Sequence, residues 1–260
     1  MFGLFQQGNQ QPATRQEGAD QASGPLHAVL GTPIGAAPTA SQQEALFGCG
    51  CFWGAEKGFW RLPGVVTTAV GYAGGRLANP SYEQVCSGRT GHGEVVRVVW
   101  ETSAVDFSDL LKLFWECHDP TQGNRQGNDV GSQYRSMIVV DRPELMDLAT
   151  ASRDAYQTLL SAAGFGAITT EISSGITREI SSGINAGITG QQPFTFAETY
   201  HQQYLAKPGS RPYCSAQPSG QRLGAFEGAN YKLDPRVWEH YDWSVSHCVL
   251  RGDNSPIQLA

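Results

Sequence analysis

Gly48-Cys49-Gly50-Cys51-Phe52-Trp53-Gly54 joins a short apolar run, Ala45-Leu46-Phe47, to a segment of large side chains that ends at Trp60. The apolar run is typical of the end of a buried strand, and the segment after the glycines is typical of a helix. Glycine allows the backbone to turn sharply between two such elements. The stretch therefore predicts a strand-to-helix corner, with Cys51 at or just before the first helical turn.

This corner is expected to favour the thiolate form of Cys51. Unpaired N–H groups and the positive end of the helix dipole stabilise a negative charge there. Phe52 and Trp53 would place an aromatic wall beside the sulfur. Most cysteines are buried structural residues, and that remains the alternative interpretation. The flanking glycines and aromatic residues favour a nucleophile.

Composition excludes several classes of protein. The 260-residue chain has a net charge of −6 and no basic stripe, which argues against a nucleic-acid-binding protein. No apolar run approaches the roughly 20 residues that a membrane span needs, and the start lacks the pattern of a secretory signal. Six cysteines are too few for a disulfide scaffold. We expect a soluble, cytoplasmic monomer without membrane or nucleic-acid partners.

The order of elements predicts the fold class. Apolar and β-branched runs predict strands, and helical spacing predicts helices, in the order strand, helix, strand, strand, helix, strand. This order predicts an α+β fold, a ferredoxin-like split βαβ two-layer sandwich with an N-terminal arm and a C-terminal extension. The runs that carry it are 65–72, 94–100, 134–140 and 168–172 for strands, and 53–60, 82–86, 107–118, 143–160, 196–206 and a short segment from 234 for helices.

Three regions are expected along the chain. Residues 1–43 contain few large apolar groups and are predicted to form an arm, partly ordered on the surface. Residues 44–215 form the catalytic domain, and residues 216–260 form an extension that docks on the core. An eight-residue tandem duplication, 171–178 and 179–186, is interpreted as a lengthened hairpin or surface loop.

Gly50-Cys51-Phe52-Trp53-Gly54 together with Glu56 resembles the signature of the A-type peptide methionine sulfoxide reductases. The resemblance covers about residues 44–214. Further motifs match in the same order: Gly71-Tyr72-Ala73-Gly74-Gly75, Asn79-Pro80-Ser81-Tyr82, Val85-Cys86-Ser87-Gly88, Thr90-Gly91-His92-Gly93-Glu94, Phe114-Trp115-Glu116, His118-Asp119-Pro120, Gly127-Asn128-Asp129-Val130-Gly131-Ser132-Gln133-Tyr134-Arg135-Ser136 and Tyr200-His201-Gln202-Gln203-Tyr204-Leu205.

The resemblance implies an enzyme that reduces the S epimer of methionine sulfoxide, free or in proteins, and so repairs oxidised proteins. Cys51 matches the family's nucleophile, which attacks the sulfoxide sulfur and becomes a sulfenic acid. Glu94 matches the family's acid. It can donate a proton to the sulfoxide oxygen only if burial beside the Val95–Trp100 run raises its pKa. We therefore expect Glu94 to be buried.

The same resemblance implies a substrate pocket. Phe52 and Trp53 match the residues that hold the S-methyl group, which suits contact between sulfur and aromatic rings. Tyr82 and Tyr134 match two phenols that hydrogen-bond the oxygen. Asp129 matches a residue implied in binding the substrate backbone.

Recycling of the sulfenic acid is implied to use a second thiol. Cys214, in a segment expected to be mobile, matches the family's resolving cysteine, and thioredoxin would reduce the Cys51–Cys214 disulfide without a bound cofactor. Cys248 would be either a second recycling thiol or a packed, inert residue. The family usually has a small or apolar residue where this chain has Cys49, and Asp where it has Thr199. The remaining cysteines are expected to be buried bystanders: Cys49, Cys86 and Cys117.

Two other interpretations are open at this point. A generic thiol peroxidase would also need Cys51 and a resolving cysteine, and it would turn over peroxide but not a methyl sulfoxide. A metal-binding module could use the following residues, although none has paired ligand spacing: Cys49, Cys51, His92 and His118.

Overall fold

The computed structural model describes residues 24–175, 194–243 and 252–259. The first half of the fold consists of β1 (Gln42–Cys49), α1 (Phe52–Trp60), β2 (Val65–Ala73), α2 (Tyr82–Cys86), β3 (Gly93–Glu101) and α3 (Phe107–Cys117). The second half consists of β4 (Arg125–Gln126), β5 (Asp129–Val130), β6 (Ser136–Val140), α4 (Pro143–Ala162), β7 (Glu171–Ser174) and β8 (Thr195–Phe196).

The main sheet has the strand order β7-β6-β1-β3-β2-β8. Its four central strands, β6, β1, β3 and β2, pair antiparallel with one another, and the outer strand β7 is parallel to β6. β1 and β2 are thus joined through α1 with β3 between them, which is the split βαβ arrangement. The prediction of an α+β, ferredoxin-like fold is confirmed.

The pleat of the sheet separates two apolar clusters. Side chains alternate between the faces of a strand, so Phe47 and Val96 lie in the large cluster that α1, α3 and α4 also build. Leu46 and Val95, one position away, lie in a smaller cluster on the opposite face. The large cluster fixes α1 against the sheet and with it the corner that carries Cys51.

Residues 34–36 contact the sheet through Arg97. The Arg97 guanidinium donates to the carbonyls of Ile34 (3.0 Å) and Ala36 (2.7 Å) and pairs with Glu44 (2.7 Å). Farther back, His27 is buried and its Nε2 lies 2.9 Å from the hydroxyl of Thr68. These contacts attach the described part of the arm to the domain. The division of the chain at residue 43 stays a prediction.

The C-terminal region contacts the second half of α1. The Tyr241 hydroxyl donates to the carbonyl of Gly58 (2.8 Å), and Trp60 Nε1 donates to the carbonyl of Asn254 (2.9 Å). A 3-10 helix, Pro235–His240, precedes Tyr241 and buries Val237. Side chains of this region join the large apolar cluster.

The helix predicted over 196–206 is wrong. Only a short 3-10 helix forms there, Tyr204–Ala206, and Gln203 has a φ of +46°. The Gln202 side chain both accepts from the Val70 N–H (2.9 Å) and donates to the Val70 carbonyl (2.8 Å). The Gln203 N–H donates to Glu56 (2.9 Å). Gln202 and Gln203 thus form hydrogen bonds with distant residues of β2 and α1 instead of the bonds of a helix. The helical spacing of the apolar residues in this segment is therefore misleading.

Two other predictions on this part of the chain have simpler outcomes. The strand predicted at 168–172 lies at Glu171–Ser174, at the start of the duplicated sequence. Residues 176–193, which hold most of the duplication, lie outside the described residues, as does Cys248. Within the described ranges, no helix is long and apolar enough to cross a membrane.

Candidate active site

Cys51 occupies the corner between β1 and α1, as predicted. It is the N-cap residue of α1, and its side chain makes no capping hydrogen bond. Gly50 has a φ of +88°, and a Cβ there would lie 2.6 Å from the Gln126 side chain. Only glycine allows both this backbone conformation and this close approach. The corner therefore packs the backbone at Gly50 directly against the Gln126 side chain.

The expectation of a resting thiolate at Cys51 is wrong. The residue is only 9 % exposed, and burial raises the pKa of the Cys51 thiol well above its ordinary value. A negative charge on Glu94 would raise that pKa further, and the nearby Trp53 N–H lowers it by less. Loss of water around the sulfur outweighs the effect of this N–H. The resting residue is a neutral thiol.

Glu94 lies on β3, directly beside this corner. Its carboxylate oxygen accepts a hydrogen bond from the Phe52 N–H (3.1 Å), and the residue is 2 % exposed. Burial raises the pKa of Glu94 to about 8; Asp129 adds a smaller increase, and the Phe52 N–H opposes both. Glu94 is therefore mostly protonated at neutral pH, as the sequence predicts for a proton donor.

An open cleft of about 310 Å³ brings the predicted residues together. It contains both members of the predicted reacting pair, Cys51 and Glu94, and all five predicted substrate-binding residues. The residues that line it are Cys51, Phe52, Trp53, Tyr82, Glu94, Asp129, Tyr134, Tyr204, Arg211 and Tyr213.

Trp53 forms the centre of an aromatic wall in this cleft. Its indole stacks on Tyr204, with ring centroids 3.8 Å apart at 15°, and meets the edge of Tyr213 at 6.3 Å. Its Nε1 donates to Nδ1 of the buried His201 (3.1 Å), whose ring also contacts Phe52 at 5.1 Å. These contacts fix both aromatic side chains, so the wall is preformed.

Three oxygen-bearing groups face the aromatic wall. The Tyr213 hydroxyl donates to Asp129 Oδ1 (2.5 Å), whereas Oδ2 is buried and has no hydrogen-bond partner among the described residues. Burial raises the pKa of Tyr82 and of Tyr134 beyond any physiological pH, so both phenols are neutral. The cleft thus offers two phenol donors and one free carboxylate acceptor.

Sequence reasoning missed three residues of the cleft. Arg211 and Tyr213 shortly precede Cys214 in a segment without regular structure, and Tyr204 begins the 3-10 helix Tyr204–Ala206. Tyr204 belongs to the last quoted motif, but the sequence predicts only a helix there and no role in the cleft. The two tyrosines shortly before Cys214 are the local signal that could have indicated this wall.

Cys214 lies behind the cleft rather than on it. The residue is 4 % exposed, so the mobile, accessible position that the sequence suggested does not match the described state. It lines a small cavity together with Cys49 and Cys117. Cys86, expected to be buried, is exposed.

The metal-binding quartet considered from the sequence is not assembled. Among the described residues, one group of possible ligands brings Cys49 and His118 together, but with Cys117 and not with Cys51 or His92. His92 is buried against Gly75. The structure gives that quartet no common centre.

Comparison with known proteins agrees with this geometry. The family model described as peptide methionine sulfoxide reductase matches residues 43–229. The chain belongs to this family. The enzyme is therefore an oxidoreductase that acts on methionine sulfoxide. The match covers every residue that lines the cleft.

Individual relatives share most of the chain. A peptide methionine sulfoxide reductase MsrA of Salinispora arenicola is 54 % identical over 196 residues, which is 75 % of this chain and 81 % of the relative. One of Vibrio vulnificus is 50 % identical over 208 residues, covering 80 % and 90 %. Methionine sulfoxide reductase A of Corynebacterium diphtheriae, a solved structure, is 39 % identical with a TM-score of 0.62 and covers 81 % of this chain and 97 % of its own. These relatives identify the reductase as A type.

Proposed function

We propose that the reductase acts on the S epimer of methionine sulfoxide, free or in proteins, with Cys51 as nucleophile and Glu94 as proton donor. One observation supports this most strongly. A buried carboxyl with a pKa of about 8 lies in the same cleft as the cysteine of the corner. A carboxylic acid that stays protonated near neutral pH can protonate a departing oxygen. The role of the enzyme is repair of oxidised proteins.

The reaction starts from a neutral thiol and a neutral acid. The Cys51 sulfur attacks the sulfoxide sulfur while Glu94 gives its proton to the sulfoxide oxygen. The oxygen moves to Cys51, the sulfur–oxygen bond of the substrate breaks, and methionine leaves. The thiol proton passes to Glu94, so the products are methionine, a Cys51 sulfenic acid and a restored carboxylic acid. The thiol does not have to ionise before the substrate binds. The partly positive sulfoxide sulfur, which favours a negative charge on the Cys51 sulfur, is present only once the substrate is bound.

The remaining residues of the cleft orient the substrate. Phe52 and Trp53 hold the S-methyl group, since aromatic rings make favourable contacts with methyl groups and sulfur. Tyr82 and Tyr134 donate to the oxygen, where negative charge develops. Asp129 Oδ2 accepts from a backbone N–H of the substrate, a role supported by its lack of another partner among the described residues.

A second thiol completes the cycle. Cys214 attacks the sulfur of the Cys51 sulfenic acid, releases water and forms a Cys51–Cys214 disulfide. Thioredoxin, an external dithiol, then reduces this bond, so the cycle needs no bound cofactor. Cys248 is kept as a candidate for a further recycling thiol. A cytoplasmic, monomeric enzyme would meet thioredoxin in the reduced state.

The test uses resolved sulfoxide epimers with two reductants. Cys51→Ser is expected to lose activity with both thioredoxin and dithiothreitol. Cys214→Ser is expected to lose turnover with thioredoxin but to form one equivalent of methionine from the reduced enzyme. Full thioredoxin-driven turnover in Cys214→Ser would contradict the role of Cys214, and methionine from Cys51→Ser would contradict that of Cys51.

A further inference from the structure

A second, much smaller cavity lies behind the helix that carries Cys51, and thiols line it. It holds about 10 Å³, close to the volume that one water needs. Three of its residues are cysteines: Cys49 at the end of β1, Cys117 at the end of α3 and the loop residue Cys214. Its other walls are small or apolar: Gly54, Ala55, Gly58, Leu113 and Ala216.

Cys49 and Cys117 lie close together beside this cavity. Their two sulfurs lie within 4.8 Å of each other. Cys49 is 2 % exposed and Cys117 is 7 % exposed. Two sulfurs at this separation need a small movement to bond, and the cavity beside them gives them room to make it. The pair is thus a sheltered dithiol.

His118 approaches the same pair, but its hydrogen bonds argue against a metal centre. Its Nδ1 lies 2.7 Å from the Phe114 carbonyl, which can only accept, so Nδ1 carries the proton. Nε2 then accepts from the Ser136 hydroxyl at 2.8 Å. A histidine ligand needs a free nitrogen lone pair facing the metal. Neither nitrogen of His118 offers one to the sulfurs.

We propose that Cys49 and Cys117 form a second redox-active pair. The Cys51–Cys214 disulfide oxidises this pair to a Cys49–Cys117 disulfide and is itself reduced to two thiols. The inference rests on the proposed function, because it uses the disulfide formed there. Its geometric basis is that Cys214 lines the same cavity as the pair, on the side of α1 away from the substrate cleft.

The transfer takes two exchanges. The Cys117 sulfur attacks the Cys214 sulfur, the Cys51–Cys214 bond breaks, and the departing Cys51 takes up the proton that Cys117 gives up. The Cys49 sulfur then attacks the Cys117 sulfur, the Cys117–Cys214 bond breaks, and Cys214 takes up the Cys49 proton. The products are a Cys49–Cys117 disulfide and the reduced thiols of Cys51 and Cys214. No external reductant is consumed.

Burial explains what such a pair would add. Cys49 and Cys117 are buried and line this cavity rather than the substrate cleft, so they exchange electrons with the outside only through the Cys51–Cys214 disulfide, whose Cys51 lines the cleft. The fully reduced enzyme would therefore hold two more electrons for reduction than Cys51 and Cys214 hold alone. One chain could reduce a second sulfoxide before it meets thioredoxin.

The experiment counts methionine formed per chain without any reductant, in a Cys248→Ser background that removes the remaining recycling candidate. Fully reduced, desalted enzyme is mixed with excess S sulfoxide. We expect about two methionines per chain, and a Cys49–Cys117 disulfide in peptides mapped after acid quenching. The double variant Cys49→Ala/Cys117→Ala is expected to give one. The matched control, Cys86→Ala, removes an exposed thiol and is expected to stay at two.

The outcomes separate this inference from the proposed function. One methionine per chain in the Cys248→Ser parent, or two in the double variant, would overturn the dithiol while leaving Cys51 and Cys214 in place. No methionine from the parent would instead overturn the proposed function. Stoichiometric zinc in the purified parent that is lost in the double variant would also overturn the dithiol, in favour of a metal site.

Discussion

Two cavities meet at the corner that carries Cys51, and they differ in almost every physical property. The cleft in front is about 310 Å³, open, and lined by phenols and by two carboxyl groups, Glu94 and Asp129. The cavity behind is about 10 Å³, apolar, and lined by the thiols of Cys49, Cys117 and Cys214. The cleft in front is large enough for a substrate, whereas the cavity behind has room only for small movements of the sulfur atoms.

The difference shows how one helix separates two kinds of sulfur chemistry. Oxygen transfer from a sulfoxide needs a proton and polar groups where charge develops, and the front cleft supplies them. Exchange between thiols and disulfides needs only sulfurs in contact and protons that move between them. An apolar cavity keeps idle thiols neutral and unreactive toward the outside. The predictions below test whether the two regions are as separate as their geometry indicates.

The largest expected effect is on the proton donor of the cleft. Glu94→Gln keeps the size of the side chain but cannot release a proton, so we expect kcat/KM to fall by about 10²–10⁴. In the parent, kcat/KM should fall as pH rises through about 8, because the protonated carboxyl is the active form. A pH profile on the S epimer measures both. A rate that rises through pH 8 would mean that a thiolate forms before the substrate binds.

The same buried carboxyl should make stability depend on pH. Its pKa is raised from 4.5 to about 8 on folding, so the unfolded state binds fewer protons between these values. The free energy of unfolding therefore falls as pH rises from 5 to 8, by at most about 1.4 kcal/mol per pH unit from this group. Urea unfolding should show a shallower fall in Glu94→Gln. The exposed Glu83→Gln is the control and should keep the parent's slope.

A smaller effect is expected at the boundary between the cavities. Tyr213 holds Asp129 in the cleft, while its neighbour Cys214 faces the rear cavity. Tyr213→Phe removes one hydrogen bond, worth about 0.5–1.5 kcal/mol, so KM for a peptide sulfoxide should rise about 3- to 10-fold with little change in kcat. Tyr231→Phe, which loses a hydroxyl bonded to the Gly224 carbonyl, should leave KM unchanged. Equal KM values in both variants would contradict the role of Asp129.

The smallest effect is expected behind the helix. The Tyr241 hydroxyl donates to the carbonyl of Gly58, a residue of the rear cavity wall. Tyr241→Phe should lower the free energy of unfolding by about 1 kcal/mol, because the buried carbonyl loses its side-chain donor. KM should not change, since Tyr241 does not line the cleft. A change in KM without loss of stability would show that the two regions are coupled.

The sequence predicted the central architecture well because local patterns control it. The apolar runs of β1 and β3 and the corner at Gly50 specify the split βαβ core and bring Cys51 next to Glu94. The helix prediction over 196–206 failed because long-range hydrogen bonds control that segment. The helix expected over 196–206 is replaced by turns, because Gln202 and Gln203 bond to β2 and α1, which no local pattern reveals.

The amino-acid sequence by itself determined the family and the order of the strands, and it predicted Cys51 and Glu94 as the reacting pair. Only the tertiary structure decided the state of the thiols and which of them are neighbours: Cys51 rests as a neutral thiol, and the Cys49 and Cys117 sulfurs lie within 4.8 Å of each other beside an apolar cavity. The physical reason is that periodicity and turn chemistry act over a few residues. The loss of water that sets a pKa, and the proximity of two thiols 68 positions apart, depend on the whole packed domain.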